Sequence, residues 1–154
     1  MRGKRVILMA SLCLILMLSL TACHSSKSFT FQIENGEKIQ VKLDTTDGYD
    51  LLQESGTITV QKDGEDILNG VFLLPDGYSS YETAITSSSE VDILEAAPED
   101  APTYYLYQFE GEAGTETTFL FKIEGAETGM IIGSLASREE AEAAFGLLEF
   151  EIEK

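Results

Sequence analysis

The chain has 154 residues, with 27 Asp and Glu against 10 Lys and Arg, so its formal charge is −17. That excess argues against nucleic acid and against adhesion to anionic lipid, since both repel it. With one histidine, two cysteines and no tryptophan, the chain also lacks the parts for a Cys/His zinc centre or a disulfide framework.

The first elements form a targeting signal. Arg2, Lys4 and Arg5 give a positive start, Val6 to Leu20 is an uncharged apolar run, and Thr21 and Ala22 are small residues before Cys23. This is the pattern of a secretory signal peptide. A permanent transmembrane helix needs about 20 apolar residues, more than this run supplies.

Leu20-Thr21-Ala22-Cys23 resembles the lipobox of bacterial lipoproteins, with Leu20, Thr21 and Ala22 as the signal-peptidase recognition residues. The resemblance implies a diacylglycerol thioether on the Cys23 sulfur, cleavage after Ala22 by signal peptidase II, and acyl chains such as palmitate holding Cys23 in a membrane. Two such chains, at about 0.8 kcal/mol per buried methylene, suffice for stable attachment. Removing residues 1–22 would leave 132 of the 154 residues and, with Arg2, Lys4 and Arg5 gone, lower the charge from −17 to −20. Cys13 would leave with the signal and Cys23 would be consumed by lipid. The remaining domain would then rest on packing alone, with no disulfide.

The mature part divides into a lipidated N-terminus and polar tether, residues 23–28, and one domain, residues 29–154. Fully extended, the five residues His24 to Ser28 reach about 17 Å. Phe29 to Asp44 reads as a hairpin: Phe29, Phe31 and Ile33 alternate with polar residues, Asn35-Gly36 suits a two-residue turn, and Ile39, Val41 and Leu43 alternate again. Thr45 to Ser55 is less regular. Thr57 to Gln61 alternates, Asp63-Gly64 offers a second turn, and Ile67 to Leu74 is an apolar strand that Pro75 and Gly77 stop.

Tyr78 to Thr86 suits a short helix, with Ser79 and Glu82 at capping-box spacing. Val91 to Leu94 is a short strand and Ala96 to Pro102 a loop. Thr103 to Glu110, Thr117 to Glu124 and Met130 to Leu135 form an antiparallel meander. Ser137 and Glu140 open a final helix whose packed face is Ala141, Ala144, Phe145 and Leu148. The last residues fit a strand or a helix equally. The fold class is therefore α+β, a mostly antiparallel β-sheet with two short helices. This order of strands, helix, strands and capped terminal helix resembles the PsbP-like fold of small exported or accessory proteins, a resemblance that implies binding over catalysis.

Candidate chemistry is sparse. His24, the single histidine, sits in the tether, where no base can be held against its target. A carboxylate pair of the glycosidase kind would lack a tryptophan for the sugar to stack on. Asp44, Asp47 and Asp50, and separately Asp63, Glu65 and Asp66, are acidic turns of the kind calcium favours, but neither follows the Asp-x-Asp-x-Asp-Gly loop with its closing Glu. Tyr104, Tyr105, Tyr107, Phe109, Phe119 and Phe121 serve either as a recognition face or as core, and core is favoured because large exposed apolar patches are uncommon on monomers. The sequence thus points to a membrane-anchored extracytoplasmic lipoprotein: a non-catalytic binding or accessory module with an envelope protein or ligand as partner and no catalytic residue, metal or cofactor assigned. The alternatives are a small carboxylate- or calcium-dependent enzyme or sensor, or a structural envelope protein.

Overall fold

Alternating side chains build the first hairpin. In the computed structural model, which describes residues 25–153, β1 is Ser26–Gln32 and β2 is Lys38–Asp44, paired antiparallel with Phe29 opposite Val41 and Phe31 opposite Ile39. Phe31, Ile39, Val41 and Leu43 all point inward and are buried. The connection is not the two-residue turn that Asn35-Gly36 suggests. The Ile33 N–H donates to the Glu37 carbonyl at 2.8 Å, enclosing a three-residue loop in which Gly36, at φ 93°, takes the left-handed position.

The strand also starts earlier than Phe29. Ser26, Lys27 and Ser28 pair with Asp44, Leu43 and Lys42, so half of the expected tether belongs to β1. The polar residues fit because β1 is an edge strand whose Ser26, Ser28 and Thr30 face solvent. Residues 1–24, including Leu20, Thr21, Ala22, Cys23 and His24, lie outside the described residues.

A 3₁₀ turn at Thr46–Gly48 leads into β3, Tyr49–Glu54, within the stretch that reads as irregular. Leu51 faces the core and Leu52 the opposite side, and these adjacent leucines blur the alternation. Ser55-Gly56 and Asp63-Gly64, all four at positive φ, make tight turns from β3 into β4, Thr57–Lys62, and from β4 into β5, Glu65–Leu73. Pro75 opens a helix: α1 spans Pro75–Ser87 with the proline in its first turn, where the missing N–H is no loss. The expected Ser79–Glu82 capping box is therefore absent; Ser79 sits inside the helix, and Leu74 holds the cap position.

The rest follows the expected order: β6, Val91–Ala97; β7, Tyr104–Gly111; β8, Gly114–Lys122; β9, Gly129–Ser134. β7, β8 and β9 form the antiparallel meander. α2, Arg138–Phe145, carries the expected capping box, with the Glu140 N–H donating to Ser137 Oγ and the Ser137 N–H to the Glu140 carboxylate. The ambiguous terminal segment is strand β10, Leu148–Ile152, paired with β2. Gly146 ends the helix two residues earlier, so Leu148 belongs to the strand and not to the helix face.

The strands make two antiparallel sheets, a three-stranded one in the order β1-β2-β10 and a seven-stranded one in the order β3-β4-β5-β9-β8-β7-β6. The main core lies between them, where Val41 and Leu43 meet Leu51, Val60, Met130 and Ile132, all essentially inaccessible. α2 fills the rest of this layer with Ala141 and Ala144, and its Phe145 ring stacks on Phe119 with centroids 4.1 Å apart. α1 lies on the other, outer face of the large sheet, where Tyr78 and Ile85 pack on Leu73, Tyr105, Tyr107 and Leu120. The fold is α+β, as expected. No helix among the described residues is long and apolar enough to cross a membrane.

Candidate functional site

The acidic turns fall at one end of the sheets, and three of their carboxylates, Asp44, Asp50 and Asp66, are bonded to nearby donors. Asp44 accepts from the Thr46 N–H and hydroxyl, which shapes the 3₁₀ turn. Asp50 binds Lys27 at 2.8 Å and the Leu51 N–H, and the lysine contact holds its carboxyl below the usual range. Asp66 accepts from Gln61 at 2.7 Å. Among the described residues no group of three or more Asp, Glu, His or Cys converges so that it could hold a metal ion.

The aromatic set divides by alternation. Tyr104, Phe119 and Phe121 face the inter-sheet core, all three beside Phe145. Tyr105 and Tyr107 lie under α1, and Phe109 packs at the margin of the same cluster. Burial pushes the Tyr107 phenol up to about 12. Tyr105 keeps a polar tie, its hydroxyl donating to Glu82 of α1 at 3.0 Å. These rings are core and not a recognition face.

What remains open is the part of the outer face that α1 does not reach. A 13-residue helix is about 20 Å long, and α1 covers the β6–β7–β8 side of the sheet and the ends of β5 and β9 at Leu73 and Gly129. Beside it runs a groove of about 450 Å³ along β5 and β9, lined by Thr57, Ile67, Asn69, Val71, Ile131 and Leu135 among others. Val71 on β5 is 40 % exposed and Leu135, just past the end of β9, is 61 % exposed, high values for aliphatic side chains.

Two glycines of β9 shape this face. Gly129, Ile131 and Gly133 all point outward. At Gly129 the absent side chain admits the Tyr78 ring, which seats α1; a Cβ there would stand 2.6 Å from that ring. At Gly133 the Glu116 carboxylate of β8 leans across the bare backbone, where a Cβ would collide with it. The Thr118 hydroxyl donates to Glu116 at 3.2 Å. Glu116 and Asp66 are the charged side chains of the groove, and neither has a Lys or Arg within 4.0 Å among the described residues. The strand register, Asn69 opposite Gly133 and Gly133 opposite Thr118, places both acids toward the same end as Leu135. The other end adjoins a second depression of about 410 Å³ beside the first hairpin, lined by Ile33, Phe72 and Leu74, with Thr57 and Val71 common to both.

The groove offers carboxylates, hydroxyls, an amide and aliphatic surface. Residues 25–153 contain neither histidine nor cysteine. The chain matches no protein family, no curated protein and no solved structure.

Sequence reasoning passed over Glu116 and Gly133. A signal existed: glycine inside a strand marks a site where another group approaches closely, and Gly129 and Gly133 bracket the apolar Met130-Ile131-Ile132 run. Nothing in the sequence alone says which face they open.

Proposed function

We propose that the chain is a lipid-anchored lipoprotein of a bacterial cell membrane, facing away from the cytoplasm, and that its domain is a non-catalytic binding or accessory module. The observation that carries this reading is Leu20-Thr21-Ala22-Cys23 at the exit of a charged-then-apolar leader. The element order, which resembles that of PsbP-like proteins, supports an accessory role. So does the open groove, whose side chains are suited to holding a ligand and include no nucleophile–base pair. With β1 beginning at Ser26, Cys23 stands three residues ahead of the first strand, and the domain would ride close to the bilayer.

Cys23→Ala tests the anchor. In a bacterial host the unsubstituted chain should incorporate an alkyne-tagged palmitate and fractionate with membranes. The variant should lose the label and accumulate as an unprocessed or released form. Equal labelling and equal gel mobility in both would overturn the reading.

A further inference from the structure

The outer-face groove has one kind of charge and one kind of surface, and the two together describe an occupant. Its charged groups are the Asp66 and Glu116 carboxylates, each bonded to a neutral donor, Gln61 and Thr118, and each with lone pairs to spare. Its remaining walls include the exposed aliphatic chains of Val71 and Leu135 and the half-buried Ile131. The floor runs beside β5 from Ile67 to Val71, about 13 Å at strand spacing, the length of four extended residues. Past Thr57 and Val71 it continues into the second depression. β5 and β9 are both interior strands, already paired on each side. An occupant would therefore be read by its side chains and not by joining the sheet.

We propose that this groove binds a short extended peptide segment that carries basic side chains at one end and aliphatic ones along the rest, since alternation would turn one kind away from the groove. The basic groups would meet Glu116 and Asp66 at the Leu135 end, and the aliphatic groups would cover Val71 and Ile131. The overall charge of −17 draws such a segment in, and the groove gives it a fixed seat. A polyamine would satisfy the carboxylates but leave the aliphatic walls uncovered. The proposal rests on reading the domain as a binding module and names the ligand class for it.

The test uses the full chain in phosphatidylcholine nanodiscs, with empty discs as blank. The probe is a fluorescein-labelled acetylated hexapeptide amide with two lysines at one end and four valines after them, followed by anisotropy at about 0.15 M salt, where long-range attraction is screened. The same peptide with two glutamates in place of the lysines is the charge control. Glu116→Gln with Asp66→Asn should weaken binding at least about fivefold. Glu99→Gln with Asp100→Asn removes the same charge from the exposed β6–β7 loop and should leave binding within about twofold, the size of a distant, screened charge effect. Val71→Thr, a neutral change of nearly the same shape at an exposed strand position, should keep the circular dichroism spectrum and also weaken binding. Equal loss in the two acid variants would reduce the effect to general acidity and overturn the proposal. So would binding of the glutamate peptide, binding of the lysine–valine peptide that ignores Val71→Thr, or no binding. Membrane retention through Cys23 is read separately by fractionation, so either result stands without the other.

Discussion

The Glu37 carboxylate accepts a hydrogen bond from the Thr128 hydroxyl at 2.6 Å, joining residues 91 positions apart. The same carboxylate takes the Glu127 N–H at 2.8 Å, the Thr128 N–H at 3.1 Å and the Asn35 amide at 2.9 Å. Glu37 closes the β1–β2 loop, and Thr128 lies in the loop between β8 and β9. This one side chain therefore ties the small sheet to the large one at the end away from the acidic turns.

These bonds, the Thr128 hydroxyl first, hold the Glu37 carboxyl down to about 2 from an ordinary value of 4.5. A depressed carboxyl adds stability above its unfolded value and loses it as the pH falls toward the folded one. The contribution should be whole at pH 7 and fade between 4.5 and about 2. Because Glu37 is partly exposed, its worth is about 1–2 kcal/mol, less than the full shift would give. Urea unfolding should show Glu37→Gln destabilised by that amount at pH 7, with the gap to the unsubstituted protein closing by pH 2. A constant gap across this range would show that the loss came from packing and not from charge.

Gly129 is where α1 meets the sheet. Gly129→Ala would put a methyl 2.6 Å from the Tyr78 ring and 3.0 Å from the Phe121 carbonyl, so the helix must shift. Overpacking of this kind costs about 1–3 kcal/mol. The variant should lose stability while keeping its far-ultraviolet spectrum, and its near-ultraviolet tyrosine signal should change as Tyr78, Tyr105 and Tyr107 move relative to one another. Gly133→Ala makes a useful contrast, since the group displaced there is the Glu116 side chain, whose carboxylate can swing aside.

At the opposite layer, Phe145 is gripped by Phe119, Phe121 and Tyr104. Phe145→Ala should cost about 3 kcal/mol, toward the low end for an aromatic truncation because the ring is only partly buried. Ser137→Ala removes the cap of the same helix and should cost about 1 kcal/mol. Thermal unfolding of the two single variants and of the double variant would show whether capping and ring packing act separately. Near-additive losses are expected, as the two sites lie at opposite ends of α2.

The sequence made the periodic parts legible and hid those that depend on tertiary context. The first hairpin, the β7–β8–β9 meander and the Ser137 cap each carry their own local signal, either alternation or reciprocal capping chemistry. β3 did not, because Leu51 and Leu52 serve opposite faces of the sheet. Ser79 and Glu82 had the right spacing for a cap, but Pro75 had already opened the helix one turn earlier. The terminal segment was undecided until β2 offered a free edge for β10. The acidic turns looked like a metal site, yet among the described residues their carboxylates do not converge, and Asp44, Asp50 and Asp66 bond to Thr46, Lys27 and Gln61 beside them. The groove was invisible because it is a shortfall of cover, set by where α1 ends and by two missing side chains on β9.

The early start of β1 also has a mechanical meaning. A pull on the chain ahead of residue 25 enters the domain through Ser25, which Thr45 holds at 2.9 Å, and then β1; it runs along the strand when the opposing load is held at the β1–β2 loop end. Seven register pairs, from Ser26 with Asp44 to Gln32 with Lys38, then share the load in shear, with the Lys27–Asp50 contact as a further cross-tie near the point of entry. A hairpin gripped this way resists by all its hydrogen bonds at once, whereas one pulled sideways unzips them singly. Were Cys23 fixed in a bilayer, a tug from a partner at the far end of the molecule would meet the stiffest direction this small sheet has.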